Sequence, residues 1–408
     1  MPAPTVETTI RFAGGPSFGN ALVLGDPLGK LGEAVLGTSA NVPVDFSNKT
    51  RKVSISRGRT RVLDKFEAGI CSIELVDLDG SLDPSSGTYD IKPLHQVRVA
   101  ATYGGSKRFL FSGYIVSWTY NFKKGAAAAF LSLQCMDGFR LLNLAKFTTV
   151  TGGAAGQTTG TRLGEVLDAI NWPASQRDID SGDTTVQADS ATERAALDAV
   201  QLLAETELGG VFMTGDGDLK FVSRSESIKA LDGTPTIFND NGTNIGYEGI
   251  QLQIDERLLR NKISVTRSGG SAQVVSDATS ITNYFERNLN RSGLLMQTDS
   301  EANSQANAIL GARKDPDLRV RELKIDATED NAARVAAALD LDFYSPITVN
   351  RSYPAGTTTQ KTLTVQGIQH TITPSSFKTT FTTTEPLVDG FILGSSVQGI
   401  LGTSVLAY

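Results

Sequence analysis

Cysteine is scarce in this sequence, whose 408 residues include only Cys71 and Cys135. Two cysteines in so long a chain exclude a scaffold held together by disulfide bonds. Both lie in segments where apolar and polar residues alternate, which is typical of half-buried strands. We therefore predict that both are small buried apolar side chains and not reactive thiols.

Histidine is equally rare, and His95 and His370 are the two candidates for a general base at neutral pH. Neither has a serine, cysteine or metal-ligand partner at a recognisable spacing. No nucleophile elbow, zinc-binding pair or phosphate-binding glycine loop occurs in the sequence. His370 alternates with Ile368 and Ile372, which places these three residues on one face of a predicted strand. We favour a structural role for both histidines and predict no catalytic residue, cofactor or metal.

Positive charge is not in excess, since the net charge is −6 and the pI is about 5.2. This balance disfavours stable binding of nucleic acid through its phosphates. No stretch approaches about 18 uninterrupted apolar residues, and the start "MPAPTVETTIRFAGG" does not have the pattern of a signal peptide. We expect a protein that is made in the cytoplasm without a signal peptide and leaves it only within a larger assembly.

The length allows two or three domains, and changes of pattern give their boundaries. An N-terminal arm (1–45) precedes alternating segments over 46–147, which predict a small β-barrel or sandwich. Helical periodicity then begins, so 148–250 is predicted to be a small α/β domain. Strands and helices mix in 251–385, and a C-terminal arm (386–408) follows. The predicted fold class is α+β and mainly β.

Two helices are predicted to begin with a capping box, in which Ser or Thr is followed three residues later by Glu. Ser190 and Glu193 mark one of these helices. Thr298 and Glu301 mark the other.

Two segments share one plan, "HQVRVAATYGGSKRFLFSGYIVSWTY" and "SPITVNRSYPAGTTTQKTLTVQGIQHTIT". Each reads as a short strand, a turn with glycine, and a longer strand whose apolar alternation is interrupted by Gly113 or Gly367. Glycine inside a strand commonly marks a bulge or a barrel corner. The likeness is loose, so chance and internal duplication both stay open at this point.

Both ends of the chain carry a phrase rich in Leu-Gly pairs, "ALVLGDPLGKLGEAVLG" from Ala21 and "GFILGSSVQGILGTSVLAY" from Gly390. Their many glycines argue against a helix, since each costs about 1 kcal/mol there. About 19 extended residues span roughly 60 Å, enough to reach a neighbouring subunit. We predict that both phrases are assembly arms docking on neighbouring subunits or adjacent proteins. Their apolar contact residues are Leu22, Leu24, Leu28, Leu31, Leu36, Phe391, Leu393, Val397, Leu401 and Leu406.

Three carboxylates, Asp77, Asp79 and Asp83, surround Gly80 in "DLDGSLD". This spacing is similar to part of a calcium-binding loop, but the terminal glutamate and the full pattern are missing. A polar loop is the favoured interpretation, and whether the three residues bind a metal is left open.

A cationic run places Arg57, Arg59 and Arg61 at alternate positions of a predicted strand, and hence on one face. Such a face can meet an acidic partner surface or lie in solvent, and the sequence does not decide between the two.

The order of these segments resembles the minor tail protein, or baseplate hub, family of long-tailed bacteriophages. The similarity includes "VSISRGRTRVLDKFEAGICSIELVDLDGSLDP" and an F-x-G-x-I-x-x-W core formed by Phe111, Gly113, Ile115 and Trp118. It continues through "RLLRNKISVTRSGG", "SITNYFERN" and "LTVQGIQHTITPSSFKTTFTT", and so covers nearly the whole chain. The sequence departs from the family at Phe285, where relatives often carry glycine, and at Phe377, where tryptophan is common.

The resemblance implies two related β-barrel domains with a small α/β domain between them, assembled as a homotrimer. Six similar barrels would then form a ring around the passage of phage DNA, joining the six-fold tail tube to three-fold tip components. The expected partners are the tail tube or distal tail ring, tip or fibre proteins and the tape measure, with the host surface contacted indirectly. The expected location is the virion tail tip.

Two other functions are alternatives to this non-enzymatic role. The β-rich pattern with exposed turns is compatible with a receptor- or carbohydrate-binding tail module, but no cluster of Trp or Tyr for stacking on sugars occurs. A cell-wall hydrolase is the less favoured alternative, because hub-like segments occupy the chain, although paired carboxylates are not excluded by the sequence.

Overall fold

The structure is a computed structural model that describes residues 4–12, 43–61, 63–85, 88–122, 125, 127–328, 331–352, 358–385, 390–391 and 405–406. The fold is mainly β, as the alternating pattern predicts, with 44% of the described residues in strands and 23% in helices. Within the described ranges, no helix is long and apolar enough to cross a membrane.

The N-terminal part consists of strands and one short helix. They are β1 (Thr5–Arg11), β2 (Val44–Asp45), β3 (Thr50–Gly58), β4 (Glu67–Asp77), β5 (Gln96–Tyr103), β6 (Ser106–Asn121), β7 (Ala129–Met136) and α1 (Phe139–Leu144). Five antiparallel strands in the order β3-β4-β7-β6-β5 form what we call the first strand unit. β1, inside the predicted N-terminal arm, pairs with β5 along its whole length and so extends the edge of this unit.

The middle of the chain alternates short strands and helices. These elements are β8 (Lys146–Phe147), β9 (Gln157–Thr158), α2 (Thr159–Ala169), β10 (Arg177–Ile179), β11 (Thr185–Val186), β12 (Arg194–Ala195), α3 (Ala196–Glu207), β13 (Gly210–Met213), β14 (Leu219–Val222) and α4 (Arg224–Lys229). Glu207, at the end of α3, is fully buried, and its carboxylate accepts hydrogen bonds from the Thr159 hydroxyl at 2.7 Å and the Thr184 N–H at 3.0 Å. These bonds fix the loop before β11 to α3.

The C-terminal part contains further strands and three helices in the described residues. They are β15 (Thr236–Asn239), β16 (Ile245–Gly246), β17 (Gly249–Gln253), β18 (Lys262–Arg267), β19 (Gln273–Ser276), α5 (Ala278–Tyr284), β20 (Asn288–Leu294), α6 (Asp299–Arg313), β21 (Arg319–Asp326), α7 (Ala332–Asp340), β22 (Pro346–Ser352), β23 (Thr358–Thr373), β24 (Ser376–Thr384), β25 (Gly390–Phe391) and β26 (Val405–Leu406). Strands in the order β17-β21-β24-β23-β22 form the second strand unit.

The two predicted capping boxes have different outcomes. Thr298 caps α6: its hydroxyl accepts the Glu301 N–H at 3.2 Å, and the Glu301 carboxylate accepts the Thr298 N–H at 2.9 Å. The prediction at Ser190 and Glu193 is wrong, because α3 begins at Ala196 without a side-chain cap. After Glu193 the chain forms β12, which pairs with β8 before the helix starts.

The two strand units have the same strand order, and every neighbouring pair is antiparallel in both. Their main-chain hydrogen bonds also repeat at an offset of 250 residues. The Leu94 N–H donates to the Ile115 carbonyl at 2.7 Å, and the Tyr344 N–H donates to the Val365 carbonyl at 2.8 Å. Leu94 and Tyr344 have φ of 66° and 65°, an uncommon left-handed conformation for these residue types. The chain therefore contains an internal structural repeat.

Gly113 and Gly367, which the sequence comparison aligned, are not equivalent in this repeat. The bulge of β23 lies immediately before Gly367, and that of β6 immediately before Ser117, exactly 250 residues earlier in the chain. Gly113 serves a different purpose, because a Cβ there would lie 2.5 Å from the Met136 carbonyl oxygen. It allows β6 and β7 to approach each other closely.

Pairing between β3 and β23 joins the two units. The antiparallel contacts run from Gly58 opposite Gly367 to Val53 opposite Ile372. β23 pairs with β22 near its start and with β3 after its bulge. Both partners lie along the same edge of β23. In the described residues the result is an open, branched sheet of fourteen strands, without a closed barrel.

One apolar core extends through both units and the middle region. Cys71 and Cys135 lie opposite each other in it, on β4 and β7, and are buried as predicted. Burial raises the pKa of Cys135 to about 12. A second, smaller core lies between α6 and the sheet formed by β18 and β20.

Most of the predicted assembly arms lie outside the described residues. This applies to Leu22, Leu24, Leu28, Leu31, Leu36, Leu393, Val397 and Leu401. Phe391 and Leu406 are strand partners in the parallel pair of β25 and β26. The role of the arms stays a prediction.

Candidate functional site

Two arginines of the predicted cationic face point into the protein. Arg57 on β3 and Arg59 directly after it are each 8% exposed, because they continue the inward alternation of Val53 and Ile55. They share one face as predicted, but this face packs on the core and is not available to a partner. Arg61 is half-buried, so its part in an acidic-partner face stays a prediction.

Each of these guanidinium groups binds atoms from distant parts of the chain. Arg57 donates to the Met213 carbonyl at 3.1 Å and to the Asp342 carboxylate at 3.2 Å. Arg59 donates to the Gln366 side-chain oxygen at 2.8 Å and to the Tyr344 hydroxyl at 3.0 Å. The two arginines therefore connect the first strand unit with the middle region and the second unit.

Four aromatic rings complete this group of residues. Arg59 lies 4.4 Å from the ring centroid of Phe66, and Arg57 lies 5.2 Å from that of Phe343, both within cation–π range. Phe212 of β13 packs edge-on against Phe343, with ring centroids 4.8 Å apart. We call the whole group the junction cluster; its members are Arg57, Arg59, Phe66, Phe212, Phe343 and Tyr344.

Glycine at position 58 is required by the way β3 enters this cluster. Gly58 has φ of 108°, which other residues rarely adopt. A Cβ at this position would lie 2.3 Å from the Gln366 carbonyl oxygen and 2.8 Å from the Phe343 ring. The close approach of β3 to β23 therefore depends on the missing side chain.

Two buried titratable groups lie near Arg57. Burial raises the pKa of Asp137 to about 7, although its carboxylate accepts hydrogen bonds from the N–H groups of Gly69 at 2.6 Å and Phe139 at 3.0 Å. Burial, together with the charge of Arg57, lowers the pKa of His370 to about 3. His370 is therefore neutral at pH 7 and shares a buried face with Ile368 and Ile372, as predicted.

The junction cluster is built for holding parts of the chain together. Arg57 and Arg59 are occupied by carbonyl, amide, phenol and carboxylate oxygens.

His370 bonds the Thr379 hydroxyl at 3.0 Å and packs against Phe377. His95 accepts the Lys92 N–H at 3.1 Å and packs edge-on against Phe12. These contacts are structural for both histidines.

The acidic loop after β4 binds the chain's own donors. The Asp79 carboxylate accepts from the Lys49 ammonium at 2.7 Å, and this bond is the main cause of its lowered pKa. Asp77 accepts from the Tyr120 hydroxyl at 2.9 Å, and Asp83 from the Ser85 N–H at 2.7 Å. Among the described residues, no group of three His, Cys, Asp or Glu side chains is placed to hold a metal ion.

Sequence reasoning missed the aromatic members of the junction cluster, which come from three separate segments. A signal was nevertheless present in β3, because Arg57 and Arg59 are in phase with the apolar Val53 and Ile55. That phase predicts buried arginines, which need aromatic or oxygen partners elsewhere in the chain.

Comparison with solved structures gives a match over nearly the whole chain. A tail protein from Neisseria meningitidis MC58 matches with a TM-score of 0.57 and 12% identity, over 93% of this chain and 96% of that one. The fold is that of phage tail proteins. The 43 kDa tail protein of prophage MuSo2 from Shewanella oneidensis also matches, with a TM-score of 0.52 and 14% identity, over 85% of this chain and 96% of that one.

The resemblance to phage tail proteins is thus confirmed at the level of fold. No protein-family model and no curated protein matches the sequence. At such low identity, it is the arrangement of elements along the chain that relates the proteins.

Proposed function

We propose that this protein is a structural baseplate hub of a phage tail tip, without catalytic activity. In the proposed assembly, three copies form a ring whose six strand units join the six-fold tail tube to three-fold tip components. The observation that carries the proposal is the internal repeat, combined with a tail-protein fold over 93% of the chain.

The repeat supplies a template for contact between copies. In the second unit, the part of β23 after its bulge pairs with β3. The equivalent part of β6, Ser117–Asn121, pairs with β7 on one edge and with no described strand on the other. The counterpart of β3 in the second unit is β17, and among the described strands it pairs with β21 alone. Among the described residues of one copy, two complementary strand edges thus have no partner strand.

Apolar side chains next to these open edges support the same contact. Phe122 is 73% exposed, whereas Ile372, its counterpart 250 residues later, is 5% exposed because β3 covers it. Ile254, directly after β17, is 66% exposed. Pairing β6 of one copy with β17 of the next would repeat the β3–β23 contact between chains, and such head-to-tail contacts form a ring when the rotation between copies closes.

The proposed ring would surround the passage for phage DNA. With a net charge of −6, the chain has no overall attraction for phosphates that would slow DNA in transit. The proposed neighbours are the tail tube or distal tail ring, tip or fibre proteins and the tape measure, and the proposed location is the virion tail tip.

The test is to place a charge on each open edge and to measure the mass in solution by light scattering. We expect a trimer for the unmodified chain and smaller species for Phe122→Lys and Ile254→Lys, because lysine on an edge strand opposes pairing. Leu78→Lys is the matched control, since Leu78 is 75% exposed and directly follows β4, which is separated from β6 by β7. A monomeric unmodified protein inside tail particles, or equal masses for all variants, would contradict the proposal.

A further inference from the structure

A cavity of about 140 Å³ lies beside the second strand unit, where the chain after β3 meets β17, the end of α6 and the strands β21 and β24. It is smaller than the roughly 300 Å³ of pockets that hold drug-sized ligands. Its lining residues are Thr60, Arg61, Gln253, Asp255, Arg257, Leu258, Arg313, Arg319, Arg321, Thr383 and Thr384.

The lining has a large excess of positive charge, with five arginines and one carboxylate. The carboxylate, Asp255, is already bound by Arg257, whose guanidinium donates to both of its oxygens at 2.9 Å. Arg319 lies 3.8 Å from Glu385, which offsets a second cation. Arg321 lies 3.9 Å from Glu322, so Arg61 and Arg313 are left without an ion pair among the described residues.

Arg313 is the most unusual of these cations. It is 4% exposed, yet its guanidinium makes no hydrogen bond or ion pair within the described part of the chain. Burial lowers its pKa to about 10; the charge of Arg319 adds to this effect, and the charges of Glu385 and Asp317 oppose it only in part. Its position in the last turn of α6 gives a partial offset from the helix dipole.

Comparison with the junction cluster indicates what Arg313 lacks. Arg57 and Arg59 are similarly buried, but each donates to several oxygens. A buried cation without acceptors is costly, and guanidinium groups are suited to binding carboxylate or phosphate through two parallel hydrogen bonds.

We propose that this cavity is a binding site for a single oxyanion group, held by Arg313 and Arg61. The group is either a free phosphate ion or the carboxylate of an acidic side chain from a partner polypeptide. Both present oxygens to the same two guanidinium groups.

The first test is the melting temperature of the full-length chain, measured with inorganic phosphate and with a tetra-glutamate peptide, against sodium chloride of equal ionic strength. We expect one of the two probes to raise the melting temperature of the unmodified protein. A larger shift with phosphate identifies a free ion, and a larger shift with the peptide identifies a partner carboxylate.

The variants then assign the effect to the cavity. Arg313→Gln should weaken binding of the active probe at least about tenfold, and Arg61→Gln should weaken it less. Arg51→Gln is the control, because Arg51 lies on the exposed face of β3 beside Glu74. In buffer without either probe, Arg313→Gln should unfold no earlier than the unmodified protein.

Three results would overturn the proposal. They are the lack of a shift with either probe, an unchanged shift in Arg313→Gln, and a lower melting temperature of that variant in the absence of anions. The last result would mean that Arg313 stabilises the fold through contacts within the chain.

Discussion

The first and second strand units have the same strand order but differ at the edge of their longest strand. In the second unit, β3 covers the part of β23 that follows the bulge. In the first unit, the matching part of β6 has an open edge in the described residues. The same edge is therefore paired within the chain in the second unit and, among the described residues, unpaired in the first, where the proposed assembly would use it for contact between copies.

A second difference lies between the first two strands of each unit. A short connection leads from β3 to β4, whereas β18, β19, α5, β20 and α6 lie between β17 and β21. The inserted elements have their own apolar core. The repeat therefore keeps its sheet and varies its connections, as is usual for loops on a conserved scaffold.

The largest expected effect comes from replacing each of the two residues with a left-handed backbone by glycine. Tyr344→Gly should lower the free energy of unfolding by about 4 kcal/mol, because a buried ring and its bond to Arg59 are lost. Leu94→Gly should change it by less than about 1 kcal/mol, because Leu94 is 38% exposed and glycine accepts this φ. Equilibrium unfolding in urea measures both, and equal effects would show that the ring adds nothing to the second unit.

The next effect concerns pH and the two buried groups near the contact between the units. The folded-state pKa of Asp137 is about 7, so its carboxyl group stays protonated in the folded protein up to about that pH. Its contribution to the free energy of unfolding is therefore lost as the pH rises from about 4 to 7. His370, with a folded pKa of about 3, stays neutral while the unfolded chain gains a proton below about pH 6.5, so stability is lost as pH falls. The two slopes oppose each other between about pH 4 and 6.5.

Single variants should separate these slopes. Asp137→Asn should make the loss of stability on acidification steeper, and His370→Gln should make it shallower, each by about 2 kcal/mol between pH 7 and 4. Urea unfolding at a series of pH values measures this change. Parallel pH profiles for the two variants and the unmodified protein would contradict the assignment.

The smallest expected effect lies in the inserted elements, which the first unit lacks. Phe285 is 83% exposed and has φ of 62° and ψ of 166°, a conformation that strongly favours glycine. Phe285→Gly should raise the free energy of unfolding by about 1 kcal/mol. Phe285→Ala keeps the strain and is the control, and an equal gain from alanine would assign the effect to the exposed ring instead.

Local patterns predicted much of the fold. Alternation of apolar residues identified the strands, and the Thr298 capping box identified the start of α6. The Ser190 signal failed because pairing between β12 and β8 delayed the helix, and pairing of distant strands has no local signature. The similarity of the two units was visible in the sequence. The glycines, however, suggested a different correspondence between the residues of the two units from the one that the bulges at Ser117 and Gly367 establish.

The candidate site was less accessible to sequence reasoning. The cationic residues of β3 were identified, but their direction depends on Phe343, Tyr344 and Gln366, which lie nearly three hundred positions later. Likewise, Arg313 has no unusual neighbours in sequence, and the cavity it lines forms only when separate segments meet. Burial of a charge is decided by tertiary contacts, so it cannot be read from local spacing alone.

The contact between Arg59 and Tyr344 also has a consequence for the synthesis of the protein. The two residues are 285 positions apart, so at about 5–20 residues per second the partner of Arg59 is made roughly 15 to 60 s later. During this interval the nascent first unit lacks β23 and the rings of Phe343 and Tyr344. Ribosome-bound chains therefore expose two unfinished strand edges at once, and β3 is the edge on which premature pairing between adjacent nascent chains would begin.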